Sequence, residues 1–249
     1  MTAPVLLTLA HGSRDPRSAR TVRAIRDLVR SMRPDLRTEA AFLELSRPDP
    51  ATAFARLAAD GVEEVVVVPL LLTEAYHARV DVPSAVAAAG IEHPDLRIHT
   101  TQVLGARRGF LGVLDRRLRA ALAESRVREL DALVLAAAGS SDAVANAGVA
   151  RVARTWGAHH RLPVLTAFAS ATPPSTGEAV RTFRAEGRRH VAVGSFFLAP
   201  GFLPDRAAEL AAEAGAVAVS APLGPDVEVA RTVLERYAVG AVDLVPLPA

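Results

Sequence analysis

Three residues with the chemistry to bind or deprotonate a ligand, His11, Glu44 and His77, stand at or just beyond the ends of three successive apolar runs. Two imidazoles and a carboxylate are a suitable ligand set for a divalent first-row ion such as Fe, Co, Ni or Zn. They are equally an acid–base set that accepts protons near neutral pH. The reason to treat them together is internal to the chain. Leu6-Leu7-Thr8-Leu9-Ala10-His11-Gly12-Ser13-Arg14-Asp15 returns as Leu133-Val134-Leu135-Ala136-Ala137-Ala138-Gly139-Ser140-Ser141-Asp142. Ala40–Glu44 returns as Thr166–Ser170, and the stretch from Val68 to His77 as Gly194 to Leu203, at a nearly constant offset. Apolar residues and turn glycines survive the repetition, whereas His11, Glu44 and His77 become Ala138, Ser170 and Leu203. A scaffold requires what is retained; what is lost in the second copy is chemistry.

The elements that must position these residues follow from the same pattern. Apolar runs at Val5–Ala10, Thr38–Leu45, Val65–Leu72 and Ile98–Leu104 alternate with amphipathic segments. The series recurs at Leu133–Ala138, Val164–Ala169, Val191–Leu198 and Val217–Ala221. Alternation of this kind predicts βα units around a parallel sheet, and a run such as Val65–Val68 suits a strand buried on both faces. Val22, Ile25, Val29 and Met32 recur at helical spacing, as do Leu111, Leu114, Leu118 and Leu122. The fold class expected is α/β: two similar lobes, each a mostly parallel sheet flanked by helices, facing a central cleft. The boundary is expected near the charged stretch Glu124–Asp131, giving lobes at residues 1–125 and 126–249. Ligands bind outside the carboxyl ends of strands in such sheets, so His11, Glu44 and His77 should meet on one rim of the first lobe. The second lobe should complete the cleft.

Composition narrows the class. The 249 residues contain no cysteine, which excludes thiolate catalysis, disulfides and zinc–thiolate sites. No stretch approaches the ~20 apolar residues of a membrane span, and no basic leader precedes the first strand; a cytoplasmic protein with no membrane partner is expected. All 29 basic residues are Arg, yet net charge is only +2 and aromatic content is 4%. That balance argues against a nucleic-acid partner, while the arginines would meet any polyanionic ligand with bidentate forks. Gly12-Ser13 has the look of an anion-binding turn, but Gly139-Ser140 persists in the copy that lacks histidine, which favours a tight strand-to-helix turn. His93, His99, His159, His160 and His190 show no metal-like spacing, and adjacent His159 and His160 are expected to point in different directions on their helix.

The motifs Ala10-His11-Gly12-Ser13-Arg14-Asp15, Phe42-Leu43-Glu44, and Val68-Pro69-Leu70-Leu71-Leu72 continuing to His77 and Asp81-Val82-Pro83 resemble the small class II chelatases. That is the sirohydrochlorin ferrochelatase and cobaltochelatase family. The resemblance covers most of the first half, with the second half matching in degenerate form. One departure is Glu74-Ala75-Tyr76, where relatives often carry a glycine. The resemblance implies insertion of Fe²⁺ or Co²⁺, with Ni²⁺ also compatible, into sirohydrochlorin or a related tetrapyrrole. It implies no nucleotide and no organic cofactor, with His11, Glu44 and His77 as metal-binding and catalytic residues. Sirohydrochlorin carries many carboxylates, for which Arg14, Arg17, Arg47 and Arg79 are candidate clamps, with Ser13 beside them. A monomer or homodimer is expected. Two readings compete. A non-catalytic metal or tetrapyrrole carrier would use the same ligands. A histidine-type phosphatase also places a His-Gly turn after its first strand, but needs an Arg before the histidine, where this chain has Ala10.

Overall fold

The computed structural model describes residues 3–244 and contains eight strands and eight α-helices among them. In chain order they are β1 (Val5–Ala10), α1 (Pro16–Met32), β2 (Thr38–Phe42), α2 (Pro50–Ala59), β3 (Glu64–Pro69), α3 (Val82–Glu92), β4 (Arg97–Thr100) and α4 (Leu111–Glu124). They continue with β5 (Ala132–Ala137), α5 (Ala143–His160), β6 (Val164–Phe168), α6 (Thr176–Ala185), β7 (Val191–Ser195), α7 (Phe202–Glu213), β8 (Ala218–Val219) and α8 (Val227–Asp243). Two four-stranded parallel sheets result, ordered β2-β1-β3-β4 and β6-β5-β7-β8. The α/β class, the all-parallel pairing and the duplication are as the sequence pattern indicates. Strands stop earlier than the apolar runs, β2 at Phe42 and β3 at Pro69, because the remaining apolar residues line the loops beyond the strand ends.

Each sheet is covered on both faces. Val5, Leu7, Leu9, Val65 and Val67 form one core with Phe54 and Leu57 of α2 and with Val82 and Ala89 of α3. The opposite face takes α1 and α8, where Gly240 lies so close to Val66 that a Cβ would approach its side chain to 2.8 Å. In the second sheet Ala132, Val134, Val191 and Val193 pack on α6 and α7 through Val180, Phe183, Ala207 and Ala211. Its other face takes α5 and α4; at Gly194 a Cβ would meet Trp156 at 2.7 Å and Leu114 at 3.1 Å. Complete burial of β1 and β5 explains their apolar sequences, broken only at Thr8, whose hydroxyl donates to the Glu39 carbonyl at 3.0 Å.

The compact units do not coincide with the sequence repeats. One comprises the described residues up to 105 together with those from 225 onward, the other residues 106–224, whereas the sequence repeat divides the chain near 125. The helix α4 was expected to close the first lobe. It instead covers β7 and β8, with the Arg117 guanidinium donating to the Leu223 carbonyl at 3.0 and 3.2 Å. The sheet of the first unit is covered in turn by α8, from the end of the chain. A helix buries its apolar stripe against whichever sheet it reaches, and spacing along the chain does not specify which.

Candidate active site

The sheet order places the site. The chain passes from β1 to β2 on one side of it and then crosses back to β3 on the other, which opens a crevice at the carboxyl ends of β1 and β3. His11 follows β1 directly. Beyond the strand ends the β1–β2 ladder continues: the Leu43 amide donates to Ala10 at 2.9 Å and the Glu44 amide to His11 at 2.9 Å. This ladder holds His11 and Glu44 side by side. Gly12 makes the closeness sterically possible; its φ is +100°, and a Cβ there would fall 1.7 Å from the Glu44 carbonyl oxygen. Asp15 then caps α1 by accepting from the Arg17 amide at 2.8 Å. The second unit repeats the geometry without the side chains. Ala169 donates to Ala137 at 2.9 Å, Ser170 to Ala138 at 3.0 Å, and Gly139 has φ +85°. Thus Ala138 and Ser170 are the spatial as well as sequence counterparts of His11 and Glu44.

Around His77 the two units differ. Phe202–Glu213 is one regular α-helix of 12 residues. In the first unit a 5-residue π-helical turn, His77–Asp81, precedes the 11-residue α3. Such turns are rare and occur frequently at functional sites. This one brings Asp81 Oδ2 to 2.5 Å from Nδ1 of His77.

His11 is the common member of the group. Its Nε2 lies 3.3 Å from Glu44 Oε1, and its ring centroid lies 4.0 Å from that of His77, with the planes inclined by 33°. Its Nδ1 is buried with no hydrogen-bond partner among the described residues. Burial, together with the neighbouring His77, holds the pKa of His11 below the ordinary imidazole value; the Glu44 and Asp81 carboxylates oppose this only in part. The imidazole is therefore predominantly neutral at neutral pH and its lone pair is available. A cavity of about 390 Å³ adjoins it, lined by His11, Glu44, Asp81 and Glu92 among small residues of α2 and α3. The group can hold a divalent cation and accept protons next to it.

The remaining predicted residues are placed less uniformly. Arg14 is exposed on the loop after β1. Arg17 binds Asp15 with its guanidinium, and Arg47 pairs with Asp49, the residue that caps α2. Arg79 is exposed within the π-helical turn. All three hydrogen-bonding groups of Ser13 are engaged: its amide donates to Ser46 Oγ at 3.3 Å, its carbonyl accepts from Ser46 Oγ at 2.9 Å and its Oγ accepts from the Asp15 amide at 3.0 Å. That engagement fits the strand-to-helix turn better than an anion cradle.

Two features escaped the sequence reading. Asp81 was visible in a motif, and its i,i+4 spacing from His77 was the signal that the two could meet. The second is a correction: His159 and His160 do not diverge. Their ring centroids are 4.9 Å apart, and Nε2 of His160 lies 2.8 Å from Asp115 Oδ1 on α4. Among the other histidines, His99 faces Asp243 at 3.3 Å.

The CbiX family profile matches the chain twice, over residues 5–121 and 132–239. A sirohydrochlorin cobaltochelatase of Priestia megaterium is 28% identical over 211 residues, covering 82% of this chain and 67% of that protein. A sirohydrochlorin ferrochelatase of Bacillus subtilis is 30% identical over 100 residues, covering 40% of this chain and 38% of its own length. Among solved structures, SirB from Bacillus subtilis with Fe³⁺ superposes with a TM-score of 0.80 at 24% identity, covering 97% of this chain and 96% of that one.

Proposed function

The chain belongs to the CbiX family, and from that premise we propose that it inserts Fe²⁺ or Co²⁺ into sirohydrochlorin without a nucleotide. The kinship with proteins named sirohydrochlorin cobaltochelatase and ferrochelatase supports the reaction. The observation that carries the assignment of residues is that His11, in contact with both Glu44 and His77, exists in one repeat while the other keeps the same loops without it.

Insertion exchanges a divalent ion for the two pyrrole N–H protons of the macrocycle, so the site must loosen the ion's hydration and accept two protons. His11 supplies a neutral imidazole, and its buried, unpartnered Nδ1 is an atom that an ion would satisfy. His77 has its Nδ1 directed at Asp81, which leaves Nε2 to face the ion or a departing pyrrole proton. Glu44 is more than half exposed and 3.3 Å from His11. It can take a proton from the macrocycle and return it to water, or deliver the ion. Imidazole and carboxylate ligands release an ion more readily than thiolates would. Arg14, Arg17, Arg47 and Arg79 are the proposed anchors for the periphery of the macrocycle, substrate carboxylates displacing Asp15 from Arg17 and Asp49 from Arg47. Exposed ion pairs of this kind are weak enough to exchange. The proposal includes a cytoplasmic setting and a monomer or homodimer.

The deciding experiment follows the absorption spectrum of sirohydrochlorin in excess over protein, with Fe²⁺ or Co²⁺ supplied. Many turnovers above the spontaneous rate are expected. Metallation limited to one equivalent per chain would identify a carrier, and none above background would remove the reading.

A further inference from the structure

We propose that the second unit carries a metal-ion site of its own, built from Asp115, His159 and His160 and taking a divalent ion of the Co²⁺, Ni²⁺ or Zn²⁺ type. One donor atom from each of the three lies within 4.8 Å of the other two. Nothing in the repeat relates these residues to His11, Glu44 and His77. His159 and His160 end α5, whose carboxyl end adjoins the amino-terminal edge of β6, whereas Ala138 and Ser170 lie beyond the carboxyl ends of β5 and β6.

The local chemistry is that of a ligand set already organised. Asp115 is a carboxylate on α4 with only a tenth of its side chain exposed. An unpaired carboxylate so buried is costly; this one accepts from the Trp156 indole N–H at 2.7 Å and meets Nε2 of His160 at 2.8 Å on the same oxygen. Trp156 thereby holds the carboxylate in place, the part that outer hydrogen bonds play in metal centres. His160 is half-buried against the Trp156 ring, with centroids 5.9 Å apart. His159 is exposed, and can turn without disturbing the core.

Ligand bonds of about 2.0–2.2 Å put donors of one ion roughly 3–4 Å apart. The His160–Asp115 separation of 2.8 Å has to open by only a few tenths of an ångström to reach the short edge of such a shell, and rotation of the exposed His159 ring brings in the third donor. The ion takes the place of the proton between His160 Nε2 and Asp115, and that proton moves through solvent to Nδ1 as the ring changes tautomer. The position adds to the attraction: the last carbonyls of a helix carry partial negative charge, and this one ends at His160. Two imidazoles with one carboxylate select borderline ions over Mg²⁺ or Ca²⁺, which prefer all-oxygen shells.

The proposal is independent of the chelatase reading, and metal counting separates the two. Co²⁺ would be titrated calorimetrically into the full chain, into H11A/H77A, and into H11A/H77A with His159→Ala or His160→Ala added. The expected result is two equivalents for the parent and one for H11A/H77A, with that remaining affinity falling at least about tenfold when either histidine of α5 is removed. Because His159 is exposed, its variant keeps the fold, which circular dichroism verifies. An H11A/H77A protein that binds no Co²⁺ would overturn the proposal, as would a remaining equivalent indifferent to both His159→Ala and His160→Ala. A parent that binds a single equivalent, kept in H11A/H77A and lost with His159→Ala, would support this site while removing the first.

Discussion

Asp81 Oδ2 lies 2.5 Å from Nδ1 of His77, four residues earlier in the same π-helical turn. The carboxylate favours a proton on Nδ1 and leaves Nε2 without that partner. Asp81→Asn keeps the shape but replaces an ionised acceptor by an amide that can present either end. Co²⁺ affinity and turnover should each fall about 10–100-fold, the usual cost of losing such a partner. An unchanged Co²⁺ affinity in Asp81→Asn would reduce the contact to helix packing.

His11→Ala, His77→Ala and Glu44→Gln should each lower turnover, the histidines by roughly 10²-fold or more, as for loss of a positioned acid–base group. The fold should persist, because Ala138 and Ser170 occupy the equivalent places on equally ordered loops. Far-ultraviolet dichroism and thermal midpoints measured beside the kinetics test this. Inactivation that tracks unfolding would contradict the assignment.

His11 supplies the pH prediction. Burial and His77 lower its pKa, while Glu44 and Asp81 raise it. Below the ordinary imidazole value of 6.5 the unfolded chain therefore binds a proton that the folded chain still refuses. The associated stability is full above 6.5 and is lost as pH falls through the lower folded value. Ring-proton NMR should place the His11 midpoint below 6.5. His77→Ala removes a lowering influence and should move it up; Glu44→Gln removes a raising one and should move it further down. Shifts in the same direction for both variants would refute this account of the local field.

How far the sequence could be read depended on the range of each interaction. The central strands announced themselves as apolar runs, because strands buried on both faces leave a continuous local signature; the edge strand β4, Arg97–Thr100, has a single apolar residue and was signalled mainly by the apolar loop that follows it. The rim carrying His11 and Glu44 was legible because a degenerate copy showed which residues the scaffold can lose. The exchange of α4 and α8 between units was not, since Leu114 and Leu118 would satisfy either sheet and spacing is silent on the choice. The pairing of Asp115 with Trp156 and His160 joins residues more than forty positions apart on different helices. No periodicity encodes such a contact. The π-helical turn was hidden for another reason: it differs from an α-helix by a slight widening that residue types do not specify.

Gly12 can be tested against Gly61. Both have positive φ, at +100° and +72°, and an alanine at either incurs the left-handed penalty of about 1–2 kcal/mol. At Gly61 nothing lies within 4 Å of a Cβ; at Gly12 it would strike the Glu44 carbonyl. Gly61→Ala should lower the thermal midpoint by a few degrees and leave turnover alone. Gly12→Ala should lower the midpoint further and reduce turnover as well, because relieving the clash drives Glu44 away from His11. Equal effects of the two on both measurements would show that the His11–Glu44 ladder tolerates separation.

The arginines bear on substrate rather than on the ion, and kinetics can tell these apart. A clamp on peripheral carboxylates acts alike in ground and transition states, so its loss raises KM with little change in kcat. Charge reversal of Arg14 or Arg79 to Glu should therefore weaken saturation by sirohydrochlorin while leaving Co²⁺ affinity unchanged. Arg17 and Arg47 begin paired with Asp15 and Asp49, so a substrate carboxylate must displace an existing partner and their reversal should cost less than that of Arg14. Rising salt should raise KM in the parent, since exposed ion pairs are screened over roughly 8–10 Å. It should raise KM less in the reversed variants. If reversal of all four left KM and its salt dependence untouched, the macrocycle would have to be held through other groups, and these side chains would be solvated surface charge.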